Sequence, residues 1–268
     1  GQKALTEHLA RRGVRAEVEL LGHGFRVRYV LPEVPPMVSL IIPTKNGLEL
    51  VRSCVESILQ KTSYPHYEII LIDNGSDDYA TLEYFRKMKA NPKIRILCDS
   101  RPFNYSAINN AAVKESRGEF VGLINSDIEV ISPNWLSEMV SQALQPEVGA
   151  VGANLWYPNN TLQHGGVILG VGGWAGHAHK GFPRGSLGYS GRMSLVSEFM
   201  AVTGACLVIR KSLYERFGGL NEVELPIACS DVDFCLRLRA AGFRNILTPY
   251  AELYHHESAT RGYEDTPE

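Results

Sequence analysis

Between Met37 and Asp127 the hydrophobic pattern repeats as a buried run, a polar break and an amphipathic stretch, four times over. Val38-Ser39-Leu40-Ile41-Ile42 is too continuously apolar for a sheet wetted on one face and reads as a strand covered on both sides. Three more strands follow at Tyr67–Ile72, Ile94–Leu97 and Phe120–Ile124. The helices between them are marked by Leu48, Val51, Val55, Ile58 and Leu59 at helical spacing, by the stretch Thr81–Lys89, and by Tyr105–Ser116. Strand and helix in alternation predict an α/β fold with an open, mainly parallel central sheet flanked by helices.

Ahead of this lies a different texture. Lys3–Arg12 is helical in pattern and stops at Gly13, and Val14–Leu20 and Phe25–Leu31 alternate apolar with polar around Gly22-His23-Gly24. A helix and a β-hairpin are expected, set off by Pro35-Pro36 as a small appendage over residues 1–36. The body, 37–268, divides at about residue 130 into a first half and a second half. In the second half a helix is expected from Trp135 to Leu144, strands at Val148–Ala153 and Val202–Ile209, a helix ending at Phe217-Gly218-Gly219-Leu220, and a helix opening at Ser230. A short strand, Asn245–Leu247, follows, and Tyr254–Ser258 closes the folded part. The glycine- and histidine-rich stretch from His164 to Arg192 reads as a mobile lid or a loose surface loop, with Trp174 able to stack on a sugar ring. Its His177-Ala178-His179 pair has no third metal ligand nearby in sequence.

Composition narrows the classes. The 27 basic and 29 acidic residues leave a net charge of −2, so nothing draws the whole molecule to nucleic acid. Five cysteines, odd in number and without a C-x-x-C pair, argue against a disulfide framework or a structural zinc and for a reducing, cytoplasmic setting. No apolar run approaches the roughly 18 residues of a membrane span. The ends, Gly1-Gln2 and Pro267-Glu268, read as cut edges of a longer protein with adjoining domains.

Candidate chemistry gathers where such sheets bind ligands, at the carboxyl ends of the strands. Those ends carry Thr44, Asn46, Asp73, Asn74, Ser76, Asn125 and Asp127. Each alone is ordinary turn chemistry; together they converge. Neither G-x-G-x-x-G nor G-x-x-x-x-G-K-[ST] is present, so a phosphate group needs another partner, and carboxylate-held Mg²⁺ or Mn²⁺ is the natural one. Asp231 and Asp233 open a helix, where the macrodipole favours their ionised forms. They serve there either as helix caps or as catalytic acids.

Six segments in order resemble the nucleotide-sugar-dependent glycosyltransferases of family two, with the GT-A fold. They are Ser39–Asn46, Asp73–Ser76, Phe103–Ala112, Leu123–Asp127, Thr203–Cys206 and Asp231–Arg237. The resemblance covers Val38 to Ser258 and is nearest to bacterial polysaccharide and O-antigen enzymes of rhamnosyltransferase type. It implies a metal-dependent, inverting hexosyl or deoxyhexosyl transfer from a UDP-, dTDP- or GDP-linked sugar to a hydroxyl of a glycan or lipid-linked glycan. The location it implies is cytoplasmic, peripheral at the inner face of the membrane. It places Pro43, Thr44, Asn46, Asp73 and Ser76 around the nucleoside, and Arg101, Asn104 and Asn109 beside the sugar diphosphate. Asn125 and Ser126 precede Asp127 at the family's D-x-D motif, with Asp127 and His255 as metal ligands. Asp231 becomes the general base, and Trp174, Thr203, Gly204 and Ser230 become acceptor or sugar contacts. Two departures stand out: Asn125 and Ser230 each replace an acid of the family pattern. They keep open a degenerate module that binds nucleotide sugar or glycan without turnover. A sugar nucleotidyltransferase is a further rival, opposed by the lack of a basic, glycine-rich phosphate loop after the first strand.

Overall fold

The computed structural model describes residues 1–256. The chain begins with α1 (Gln2–Arg11) and an antiparallel hairpin, β1 (Ala16–Leu21) and β2 (Gly24–Tyr29). The body then runs β3 (Val38–Thr44), α2 (Leu48–Lys61), β4 (Tyr67–Asp73), α3 (Tyr79–Met88), β5 (Ile94–Cys98), α4 (Tyr105–Glu115) and β6 (Phe120–Ile124). All four of these strands are parallel, in the spatial order β5-β4-β3-β6. Register matters here, since Thr44 lies opposite Asp73 and brings both strand ends to one edge.

The second half adds β7 (Ile128–Val130), α5 (Trp135–Ala143) and β8 (Val148–Trp156). Next come β9 (Leu162–His164), β10 (Val167–Leu169), β11 (Ala175–His177), β12 (Ser197–Phe199), β13 (Cys206–Arg210), α6 (Lys211–Arg216), α7 (Ser230–Ala240) and β14 (Arg244–His255). β13 runs antiparallel to β6, β8 antiparallel to β13, and β14 parallel to β8, so the sheet changes from parallel to mixed at β6.

Alternate residues of β3 show why helices cover both faces. Val38, Leu40 and Ile42 join α2 and α5 in one core, whereas Ile41 joins α4, α6 and α7 through Ile108, Leu213, Phe234 and Leu238 in another. Each such side chain removed from water is worth about 1.5–3 kcal/mol, so both layers hold the sheet firmly.

Three expectations need correction. Only Cys206–Arg210 of the run Val202–Ile209 is strand; residues 203–205 form a turn whose backbone groups bond elsewhere. The short strand at Asn245–Leu247 is twelve residues long, because a bulge between Thr248 and Glu252 takes up Pro249, which cannot donate to a regular ladder. The glycine-rich stretch contains strands β9 to β11 and two 3₁₀ turns, Val171–Gly173 and Tyr189–Ser194. The expected close at Glu257 and Ser258 lies outside the described residues.

Candidate active site

The loops after β3 and β4 are knitted to each other by side chains. Asn46, with φ 53°, donates its N–H to Ser76 Oγ at 2.8 Å, and its Oδ1 accepts from the N–H groups of Asp77 and Asp78. Ser76 N–H in turn donates to Asp73 Oδ1 at 2.8 Å. Asn74 ties in the next loop by donating to the carbonyls of Asp99 and Arg101. Arg101 grips Asp99 through two nitrogens, at 2.9 and 2.5 Å, and that hydrogen bonding holds the Asp99 carboxyl below the usual carboxylate range. Thr44 and Asp73 are buried at the base of this edge, and Pro43 lies within the buried strand.

Beside this edge Arg101, Phe103, Asn104 and Ile108 line a cavity of about 310 Å³. Asn104 caps α4 by accepting from Ala107 N–H, and it donates to the Glu222 carbonyl. Asn109 is fully buried on α4 and donates to the Tyr105 carbonyl, so the expected direct contact with a sugar diphosphate is not what its burial favours. A second cavity of about 700 Å³ lies against Asn110, Tyr214, Asp233 and Arg237. None of the residues expected to act on a substrate lines it. Asp233 is a structural partner there: it binds Arg237 at 2.9 Å, which also donates to the carbonyls of Phe217 and Gly219.

Asp127 follows β6 in the turn Asn125-Ser126-Asp127. His255, at the end of β14, is opposite Ile128 in the β7 register, so antiparallel pairing carries its ring to Asp127. Nε2 of His255 lies 3.1 Å from Asp127 Oδ1 and 3.4 Å from Asn125 Nδ2, and Nδ1 lies 2.6 Å from Gln163 Oε1. Because an amide oxygen only accepts, Nδ1 carries the proton and Nε2 is turned toward the carboxylate. Asp127 Oδ1 is buried and makes no well-formed hydrogen bond despite that proximity. Burial pushes the Asp127 carboxyl up, but the facing His255 outweighs it and the group sits below its usual range. The pair therefore calls for a positive charge between lone pair and carboxylate, supplied by a proton on Nε2 or by a metal ion. Two ligands at adjacent octahedral positions, each about 2.1 Å from the ion, stand about 3 Å apart, which matches this spacing. Gln163 supplies the outer hydrogen bond that commonly orients a metal-binding histidine. The residues present fit a divalent cation held by two protein ligands; among the described residues no cluster of three His, Cys, Asp or Glu side chains forms a metal cage.

Asp231 stands in the first turn of α7. Its Oδ2 accepts the Gly204 N–H at 2.7 Å and its Oδ1 the Val232 N–H at 2.8 Å. The carbonyl of the same residue, Gly204, accepts from the Tyr105 hydroxyl at 3.0 Å, and the next carbonyl, Ala205, accepts the Asn125 N–H at 2.9 Å. Burial, and after it the Asp231 charge, raise the Tyr105 hydroxyl's pKa, which keeps it a donor. The 203–205 turn thus joins three elements: α7 with Asp231, α4 with Tyr105, and the turn that carries Asp127. Thr203 N–H donates to His164 Nε2 at 3.4 Å, and His164 Nδ1 meets His177 Nδ1 at 2.8 Å. Burial first, then His177 and His255, press the His164 pKa well below its ordinary value.

The remaining expected residues divide. Ser126 is half-buried in the metal-side turn. Ser230 is buried, 2% exposed, so as a direct acceptor contact it is out of reach. Trp174 is 85% exposed next to β11 in the β10–β11 hairpin, bonded to neither Asp231 nor Asp127. Sequence reasoning missed Gln163, Tyr105 and His164. A single Gln, Tyr or His carries no periodic or spacing signal, and only the pairing of β8 with β9 and the position of α4 reveal them.

One mixed sheet between two layers of helices, with polar strand ends converging at one edge, has the GT-A fold, and the family model described as glycosyltransferase like family 2 matches residues 35–264. The chain belongs to that family. It is 53% identical, over all of its own length, to the uncharacterized protein y4gI of Sinorhizobium fredii, and 42% identical to the O-antigen biosynthesis protein RfbC of Myxococcus xanthus. It spans only 30% and 21% of those two proteins' lengths. Among solved structures, GalNAc-T7 with UDP, GalNAc and Mn²⁺ superposes with a TM-score of 0.70, over 87% of this chain and 45% of that one. At 14% identity that likeness concerns the fold.

Proposed function

We propose that this chain is the catalytic unit of a metal-dependent, inverting glycosyltransferase. In this reading it moves a hexosyl or deoxyhexosyl group from a UDP-, dTDP- or GDP-linked donor to a glycan or lipid-linked glycan hydroxyl, in bacterial surface-polysaccharide synthesis. One observation carries the reading: a single turn, 203–205, is hydrogen-bonded both to Asp231 and to the backbone beside Asp127. In this reading that turn ties the base to the cation site. The 42% identity to a protein named for O-antigen biosynthesis supports the choice of acceptor class.

Thr44, Asn46, Asp73 and Ser76 hold the nucleoside, and Arg101 and Asn104 border the diphosphate. Asp127 and His255 would hold a divalent ion, whose positive charge would offset that of a diphosphate when bound. Asp231, its carboxylate aimed by Gly204 N–H, takes the proton of the acceptor hydroxyl as that oxygen attacks the anomeric carbon from the far side. Configuration inverts because one displacement occurs. Residues 1–36 serve as an appendage, and 37–130 and 131–268 as donor and acceptor halves. Five free cysteines among the described residues agree with a cytoplasmic setting.

Nucleotide release from UDP-, dTDP- and GDP-sugars, assayed with Mn²⁺ and with chelator, tests the reading. Asp231→Asn should lower turnover about 10²–10⁴-fold with donor affinity retained, and chelation should abolish release. Full turnover in that variant would sink the assignment. Asn125 in place of an acid favours one second reading, a module that binds nucleotide sugar without transfer. Tight Mn²⁺-dependent donor binding with no release from any donor would select it.

A further inference from the structure

The cavity against α4, α6 and α7 takes no part in the transfer chemistry proposed above, yet at about 700 Å³ it is more than twice the size of the 310 Å³ cavity beside Arg101. Pockets that take small ligands run from roughly 300 to 1,000 Å³. Its floor is built before any ligand arrives. Asn110 Nδ2 donates to the Leu220 carbonyl at 2.8 Å and to Glu222 Oε2 at 3.0 Å. Asn110 Oδ1 accepts from the Tyr214 hydroxyl at 2.7 Å and from the Leu220 N–H at 2.9 Å. Arg237 is likewise committed, to Asp233 and to the carbonyls of Phe217 and Gly219. Gly219 has φ 68°, and a Cβ there would collide with Asn110 Oδ1 and the Tyr214 ring, so glycine is what lets this loop close against α4.

The rim, unlike the floor, has hydrogen-bonding capacity to spare. Lys114 is exposed and has no hydrogen-bond or ion-pair partner among the described residues. Glu215 comes only within 3.8 Å of Lys211. Asp233 meets Arg237 through Oδ2, and Glu222 meets Asn110 through Oε2, so each offers its second carboxylate oxygen to a ligand. The lining holds one more anion than cation, with Glu215, Glu222 and Asp233 against Lys114 and Arg237. A phosphate or carboxylate ligand would add to that negative surplus, and an apolar one would leave these groups without partners. A hydroxyl both donates and accepts, so a neutral polyol serves the carboxylates and Lys114 together. Leu220 and the 86%-exposed Val223 supply apolar surface for the C–H face of a sugar.

At about 100° per residue, Asp231 and Asp233 leave α7 in nearly opposite directions, so the cavity lies on the far side of that helix's first turn from Asp231. Glu222 is the partition: its side chain lines this cavity, and its carbonyl holds Asn104 of the smaller one. We propose that the cavity is a second, non-catalytic glycan site, which holds neutral sugar units of the polymer while its end is extended at Asp231. Holding units behind the growing end raises the effective concentration of that end at the base. That the polymer is an acceptor rests on the transferase reading; the binding of saccharide in the cavity does not.

Calorimetric titration of the full chain, in chelator and without any sugar donor, tests this apart from catalysis. The probes are neutral trisaccharides of glucose, galactose, mannose and rhamnose, with spermidine and pyrophosphate as cationic and anionic comparisons. At least one trisaccharide should bind, and with the same affinity in Asp231→Asn. Lys114→Ala with Glu215→Ala should weaken that binding about tenfold, through the loss of two hydrogen bonds. Both side chains are exposed at the rim, so the melting temperature should stay put and report an intact floor. Absence of binding by every trisaccharide, or binding indifferent to the double variant, overturns the proposal. Spermidine as the one probe whose binding the double variant weakens overturns it too, in favour of a cation site. Trisaccharide binding that passes these tests, in a chain that releases nucleotide from no donor, upholds the cavity and sinks the transfer reading alone.

Discussion

Tyr105 illustrates how much a side chain can matter without touching a substrate. Its hydroxyl fixes the carbonyl of Gly204, and the N–H of that same residue aims Asp231. Tyr105→Phe removes only the oxygen, leaves the ring's packing in place and frees the peptide to tilt. Turnover should fall about tenfold, the worth of a hydrogen bond of about 1.4 kcal/mol in the transition state. Donor affinity and melting temperature should hold. A parallel fall in donor affinity would show that the turn shapes the donor site instead. What could be read beforehand was position rather than residue type: Asn and Asp gathered at the strand ends, and Asp231 at a helix start. Gln163 and Tyr105 were illegible, since their significance lies in which atom they face across the fold.

Among the elements, the first half of the body was readable almost to its ends. β3, β4 and β6 are buried throughout and mostly apolar, broken inside only by Ser39 and Glu68, and Asp78 and Asn104 announce α3 and α4 by accepting from the N–H three residues on. Where the pattern misled, a stronger local term had won. Val202 and Thr203 favour strand by residue type, yet the backbone of 203–205 is committed to Asp231, Tyr105 and Asn125. Pro249 hid the length of β14 behind a bulge. The short β12 is clamped by Glu198, which accepts from Arg239 of α7 at 2.5 Å and from Arg244 of β14 at 3.0 Å. Hydrogen bonding from Arg239, against some desolvation, lowers the Glu198 pKa. A depressed carboxyl contributes stability that is present above its unfolded pKa and lost as pH falls through the folded one. Glu198→Gln should therefore lower the melting temperature by about 2 °C at pH 7, a modest value because the pair is partly exposed and screened. The gap to the parent should close in strong acid, below the carboxylate range. A gap that persists there would mean the clamp is not electrostatic.

At the scale of the whole molecule, one cation anchors the N-terminal hairpin to the body, alongside the His23–Ser194 hydrogen bond. Arg26 donates to the buried Glu138 at 2.7 Å, and its guanidinium lies 3.6 Å from the centre of the Tyr250 ring. Arg26→Ala strands Glu138 without its partner, a loss of about 3–5 kcal/mol, so melting should drop by roughly 6–15 °C. Glu138→Leu on that background should restore much of it; an unchanged melting point in Arg26→Ala would show the hairpin hanging free. The order of strands along the chain differs from their order in space, and this has a consequence for synthesis. Asp127 emerges from the ribosome long before His255, which rides on the last strand described. A nascent chain that ends inside α7 holds the polar strand edges and the carboxylate of Asp231, but not the imidazole that faces Asp127. The Asp127–His255 pair therefore forms only once β14 has threaded beside β8, so translation itself sets when that pair can close.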